Sequence, residues 1–250
     1  MKDFFKTIGS WISNINNLKL YKFVIMVSIL LPITVGCGLK VGDVIADRLL
    51  NGFQTKYSIK YTRDVYIHRL ESKYDASREA LAEEIDKYID SVAPTADLDA
   101  LNLIDLSSKY NVDLRLILAQ GHVESHFGTK GTAARTNSVF NVGAFDGHSA
   151  SMQIKNGYGY RHPDFSVEPY LKLLTSRYLV EGKSEEDLLE SFVDKNGSRY
   201  ASSKNYENAL KSRWKEIDSV TNIAEKYSIY KKYKLKLGRS KKDPEGSFFL

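Results

Sequence analysis

Residues 112–128 read V-D-L-R-L-I-L-A-Q-G-H-V-E-S-H-F-G. Leu114, Ile117, Leu118 and Gly121 recur at three- and four-residue intervals, the spacing of one helix face, so residues 112–127 are expected to be helical. Glu124 falls on that face, only about 20° around the axis from Ile117 at about 100° per residue. A carboxyl placed there faces packed side chains or a cleft beside them. It loses hydration of its charged form, its pKa rises, and it keeps a proton near neutrality, as an acid catalyst must. The same position also suits a structural Glu paired with Arg or Lys.

His122 and His126 point the other way. They stand four apart, the spacing of two imidazoles on one helical face, but the zinc-peptidase pattern sets its Glu directly after the first His. Glu124 is two residues from either, on roughly the opposite side, and cannot serve the same metal. A metallopeptidase would need a third ligand from His148 or His162, so no metal and no cofactor is expected.

Outward from this helix, the sequence matches a known pattern in several places. Residues 117–128, ILAQGHVESHFG, resemble the helix of the glucosaminidase domains of glycoside hydrolase family 73, found in bacterial and phage peptidoglycan hydrolases. In that family an Ala-Gln, a Glu-Ser and a nearby Gly surround the catalytic acid. Residues 136–143, TNSVFNVG, resemble its Asn-rich turn; 166–174, SVEPYLKLL, its returning helix; and 199–210, RYASSKNYENAL, its Tyr-Ala helix start. The resemblance runs from about residue 101 to 221. It implies a mainly α, lysozyme-like helical domain with a small β-hairpin lobe, acting as an endo-β-N-acetylglucosaminidase on peptidoglycan glycan strands.

Cleaving a glycosidic bond requires a proton donor to the leaving oxygen and a group that attacks or stabilises the cationic sugar centre. Glu124 is the expected donor. Family members often place a second acidic residue in the β-lobe; Asp146 and Asp164 are the carboxylates there, Glu168 opens the next helix, and Asp146 ranks first. Asp146 before Gly147 also reads as a turn. If no second carboxylate acts, the substrate N-acetyl group or a water held by Tyr and Asn groups would complete the reaction. By resemblance Tyr200 is a transition-state or substrate contact. Asn141 would orient the turn against the sugar, or simply form it. Phe145, Tyr158, Tyr160 and Tyr206 are candidate sugar contacts, because aromatic faces pack on the apolar faces of sugar rings.

Around this domain, expected at 97–222, lie four further segments. With 250 residues, 42% hydrophobic and 27% charged, the chain holds one sizeable core plus appendages. Its single Cys37 excludes an internal disulfide framework. Residues 1–22 carry Lys2, Lys6, Lys19 and Lys22, and the uncharged run at 23–39 is nearly long enough to cross a bilayer. The lysines favour a cytoplasmic N-terminus, so 23–40 reads as a signal anchor with the rest outside the cytoplasm. Thr34-Val35-Gly36-Cys37 also resembles a lipoprotein cleavage box, which would make Cys37 a lipid attachment site.

Residues 41–96 read as a helical spacer. Leu81, Ile85, Tyr88, Ile89 and Val92 recur at helical spacing, and Pro94 ends the run. Asp97 or Asp99 would cap the next helix. Residues 142–160, with the alternation Ser151-Met152-Gln153-Ile154, suggest the β-hairpin. Residues 223–250 read as a basic tail, with seven basic residues in 231–242, that would bind anionic wall polymer or lipid. The net charge of +5 favours anionic partners, and no nucleic-acid motif accompanies it. Two rivals remain open: a lytic transglycosylase, and a catalytically inactive wall-binding or assembly protein.

Overall fold

The computed structural model describes residues 40–144 and 147–242. The expected cytoplasmic segment, the apolar run at 23–39, Cys37, Phe145, Asp146 and residues 243–250 lie outside the described residues. Among those described, no helix is long and apolar enough to cross a membrane. The chain divides into two units, Met1–Asp64 and Val65–Leu250, and every side chain discussed below belongs to the second.

Helix α1 (Lys40–Val92) buries Leu81, Ile85, Tyr88 and Ile89, four of the five residues read as its apolar stripe. It stops two residues before Pro94, whose ring disfavours helical geometry at the residue preceding it. Helix α2 (Ala100–Tyr110) is capped by Asp99, whose carboxylate accepts from the Leu101 amide at 2.8 Å; Asp97 instead faces His162 at 3.0 Å. Asn111 leaves the helix in the left-handed region (φ 52°), and Asp113 caps helix α3 (Leu114–Ser125) through the Arg115 amide.

Helix α3 lies in the core of the second unit. Leu114, Leu116, Ile117, Leu118, Ala119, Gln120, Gly121, His122 and Ser125 are all buried, so the stripe predicted for one face extends nearly all round. Gln120 and His122 therefore lie inside, and each must find a hydrogen-bond partner there.

Helices α4 (Ala133–Thr136) and α5 (Ala150–Lys155) come next, then a 3₁₀ turn (Pro163–Ser166), α6 (Val167–Leu173) with a π-helical turn (Leu174–Tyr178), α7 (Glu185–Glu190), α8 (Tyr206–Val220) and α9 (Ile223–Lys242). α8 packs along α3. Arg115 of α3 seals that contact: its guanidinium lies 4.4 Å from the Trp214 ring and bonds Asp113 at 2.8 Å and Asp218 at 3.3 Å.

Two sequence expectations are corrected. The β-hairpin is not formed: the described residues contain no strand, only an isolated bridge between Val193 and Arg199. Ser149 caps a short helix instead, accepting from the Met152 amide, and the alternating Met152 and Ile154 are exposed while Gln153 is buried. Alternation without a buried apolar face has nothing to pair against. Nor are residues 223–242 of the expected basic tail loose. α9 buries Ile223, Tyr227 and Tyr230 at helical spacing, Tyr227 shares a 2.7 Å hydrogen bond with Ser107, and Lys226 and Lys241 pair with Glu84 and Glu71 of α1. Lysines on its outer face masked this inward stripe.

Candidate active site

The site is built where α3 ends. His126, Phe127 and Gly128 have φ of 48°, 55° and 86°, three left-handed residues in succession that fold the chain back on the helix. The Phe127 amide reaches the Gly121 carbonyl at 2.9 Å, and its ring covers Gly121 so closely that a Cβ there would sit 3.0 Å from it. Gly121 thus occupies its stripe position by having no side chain. Ser125 pins the next segment to the helix end, its hydroxyl donating to the Val139 carbonyl at 2.6 Å and accepting from the Gly128 amide at 2.7 Å.

That staple brings the 138–144 turn beside Glu124. Asn141, left-handed at φ 50°, donates its amide to the Glu124 carbonyl at 3.0 Å and to Oε2 of the carboxylate at 3.2 Å. The Tyr206 hydroxyl, from the first residue of α8, donates to Oε1 at 2.5 Å. Glu124 is partly exposed and makes no ion pair among the described residues. Burial of the carboxyl raises its pKa above the ordinary Glu value, against the two hydrogen bonds from Tyr206 and Asn141, which pull it down. Of the two readings left open by the sequence, the structural ion pair is not the one adopted.

Behind Tyr206 lies a shell of aromatics. Tyr170 of α6 is fully buried, stacks on Phe140 with ring centroids 3.8 Å apart, and donates its hydroxyl to Gln120 Oε1. Gln120 Nε2 donates in turn to the Tyr206 hydroxyl at 3.0 Å. Tyr200 lies against Tyr206 with centroids 5.8 Å apart, and its hydroxyl is occupied at 2.8 Å by the Phe140 carbonyl. Burial holds the hydroxyls of Tyr170, Tyr200 and Tyr206 well above the ordinary tyrosine value, so all three stay neutral.

The structure redistributes the predicted residues. Glu124, Asn141 and Tyr206 are brought together, and Tyr206, expected from sequence to contact sugar, is buried with its hydroxyl on Glu124. Tyr200 is one ring further away. Tyr158 lies over Gly143, where a Cβ would come within 2.0 Å of its ring; Tyr160 is tied by its backbone to Thr136 and Asn137. Two of the candidate second carboxylates are committed elsewhere. Glu168 is held down to about 2 by hydrogen bonds from Lys109 and Tyr110, and Asp164 accepts from the Asp99 amide at 3.0 Å beside His162. His122 is buried against α1, with Nδ1 3.0 Å from the Tyr88 hydroxyl, and among the described residues no group of three His, Cys, Asp or Glu is placed to hold a metal. In the sequence, Gln120 and Tyr170 stand out only through the family resemblance, as part of its Ala-Gln beside the catalytic acid and of its returning helix. Gln120 precedes Glu124 by one helical turn, which places both on the same side of α3 and was the available signal.

Compared with known proteins, residues 100–219 match the family model for glucosaminidase, described as mannosyl-glycoprotein endo-beta-N-acetylglucosaminidase. No curated protein and no solved structure matches the chain.

Proposed function

Residues 100–219 are a glucosaminidase-family domain, and from that premise we propose that the protein is a peptidoglycan hydrolase cutting the β-1,4 bond after N-acetylglucosamine, with Glu124 as general acid. The observation that carries the reading is a partly exposed carboxyl with raised proton affinity, held by two neutral donors and no cation. Protonated Glu124 gives its proton to the glycosidic oxygen as the C–O bond breaks. Water then adds to the cationic sugar carbon, and its proton returns to Glu124.

The group that positions that water or stabilises the cation is Asp146, or the substrate's own N-acetyl group. With Asp164 and Glu168 engaged in structural contacts, a single-carboxylate chemistry is favoured if Asp146 does not act. That chemistry is shared with lytic transglycosylases. Digestion of purified peptidoglycan, with mass spectrometry of the reduced fragments, tests the proposal. N-acetylglucosamine reducing ends that vanish in Glu124→Gln support it; anhydro-muramyl ends establish the transglycosylase; no fragments from a folded protein leave a wall-binding module.

The apolar run at 23–39 would tether the domain on the outer side of the membrane. The outward face of α9, with Lys232, Lys236, Arg239 and Lys242, has no carboxylate in ion-pair contact among the described residues, and would hold the domain on anionic wall polymer. Charge reversal at Lys232 and Lys236 should weaken sedimentation with walls at low salt and leave it unchanged at high salt; equal sedimentation at both would remove this partner.

A further inference from the structure

The buried polar residues behind Glu124 form a directed chain of hydrogen bonds. A tyrosine hydroxyl has one hydrogen to donate, and an amide side chain donates only from its nitrogen. Tyr170, fully buried, donates to Gln120 Oε1. This turns Gln120 Nε2 toward Tyr206, whose oxygen accepts at 3.0 Å. Having accepted there, Tyr206 directs its only hydrogen to Glu124 Oε1 at 2.5 Å.

We propose that Tyr170 and Gln120 are positioning residues that fix Tyr206 as a donor to Glu124 Oε1, so that the acid's proton resides on Oε2, the oxygen beside Asn141. Either oxygen could accept as a hydroxyl, but the carbonyl oxygen of a protonated carboxyl is the stronger acceptor. The short bond from Tyr206, at 2.5 Å, therefore takes the carbonyl oxygen, and the proton goes to Oε2, whose contact with Asn141 is longer at 3.2 Å. The inference rests on the reading of Glu124 as the acid and adds which of its oxygens carries the transferred proton.

The alternative arrangement is specific. With Gln120 turned over, its Oε1 would take the Tyr206 hydrogen, and Glu124 Oε1 would lose its donor. Losing a donor to the charged form raises the pKa of a carboxyl. The groups facing the carboxyl are Tyr206 from α8, Asn141 from the 138–144 turn and, a ring further, Tyr200 and Tyr170; no ionised side chain among the described residues is in contact with it. A change in its titration therefore reports the state of this chain of bonds.

The test is titration of Glu124 in the full chain by NMR with carboxyl-labelled Glu, its signal assigned by its loss in Glu124→Gln. Tyr206→Phe should weaken the acidity of Glu124 about tenfold. Tyr170→Phe, which removes a hydroxyl that does not touch the carboxyl, should weaken it about threefold, with Gln120→Leu between the two. Unchanged Glu124 titration in folded Tyr170→Phe overturns the proposal, as does a shift toward stronger acidity. Where Gln120→Leu fails to fold, the near-isosteric Tyr170→Phe decides alone. The titration reads Glu124 whether or not the protein digests peptidoglycan, so an inactive wild type sinks the functional reading and leaves this test standing. For an active enzyme, the alkaline limb of kcat/KM should move upward by the same factor in each variant.

Discussion

Glu124 and Glu207 are carboxylates on facing helices, sheltered from water, with opposite proton affinities. Burial pushes both up. At Glu207 the push is outweighed by its own amide, the Phe192 amide at 3.1 Å and the Arg199 guanidinium at 2.8 Å, which hold it below the ordinary value. Asp194 nearby is treated likewise, accepting from the Ser198 and Asn196 amides and from Arg177. Glu124 receives one hydroxyl, one long amide contact and no cation, and stays raised. The difference separates a carboxylate that fastens the 192–205 loop from one that is left able to give up a proton. The fastening serves the other site, because this loop carries Tyr200 into the shell around Tyr206.

The largest expected effect breaks the comparison at Glu124. Glu124→Gln removes the transferable proton and should lower fragment release by about 10²- to 10⁴-fold. It should not lower stability. A carboxyl whose folded pKa is raised favours the folded state fully below its unfolded value and loses that contribution as pH rises through the folded one. At neutral pH the neutral amide is therefore at least as stable as wild type, and thermal melts at pH 4 and pH 7 check this by a gap that opens in favour of the variant at the higher pH. A variant that retains activity would remove Glu124 from the chemistry.

The opposite arm is next. Glu207→Ala leaves the buried Phe192 amide without its acceptor and should cost about 1–3 kcal/mol in urea unfolding. The pH sign is reversed relative to Glu124. Folded pKa values lie below the unfolded ones at Glu207 and Asp194, so their contribution is present above the unfolded values and is lost as pH falls through the folded ones. If Glu207→Ala unfolds at the same urea concentration as wild type, the loop is not fastened here.

His122 sharpens the comparison with a buried base. Burial against Tyr88 holds its pKa down to about 4. Between the unfolded value near 6.5 and 4, the unfolded chain binds the proton more readily, so stability should fall as pH falls through that window. His122→Gln keeps a polar group beside the Tyr88 hydroxyl and should flatten the decline. An equally steep decline in the variant would assign it elsewhere.

How much of this was legible depends on whether a feature is local. The helix and the place of Glu124 on it come from a spacing of three and four, although that spacing carries the helix to 127 and α3 ends at Ser125, where His126 and Phe127 turn left-handed; Asp99, Asn111 and Asp113 mark helix boundaries by chemistry that acts within a few residues. The α5 segment misled because Met152 and Ile154 alternate yet are exposed; a period carries information only when one face is buried. α9 misled because composition counts the lysines, whereas Ile223, Tyr227 and Tyr230 hold the helix down. The partners of Glu124 come from residues 17 and 82 positions away, and no local pattern states that Tyr206, not Tyr200, would reach it.

The smallest effect concerns that last distinction. The family resemblance makes Tyr200 a transition-state or substrate contact, but in the structure its hydroxyl is spent on the Phe140 carbonyl while its ring supports Tyr206. Tyr200→Phe keeps the ring and removes one internal hydrogen bond, so it should cost about 0.5–1.5 kcal/mol of stability. Fragment release should fall no more than a few-fold, whereas Tyr206→Phe takes the donor from Glu124 itself. Paired kinetics of the two variants decide between a supporting ring and a reacting hydroxyl. A loss at Tyr200→Phe that exceeds the loss at Tyr206→Phe would mean that the Tyr200 hydroxyl leaves Phe140 for the sugar when substrate binds, and that the division of labour between the two tyrosines is the reverse of the one argued from their hydrogen bonds.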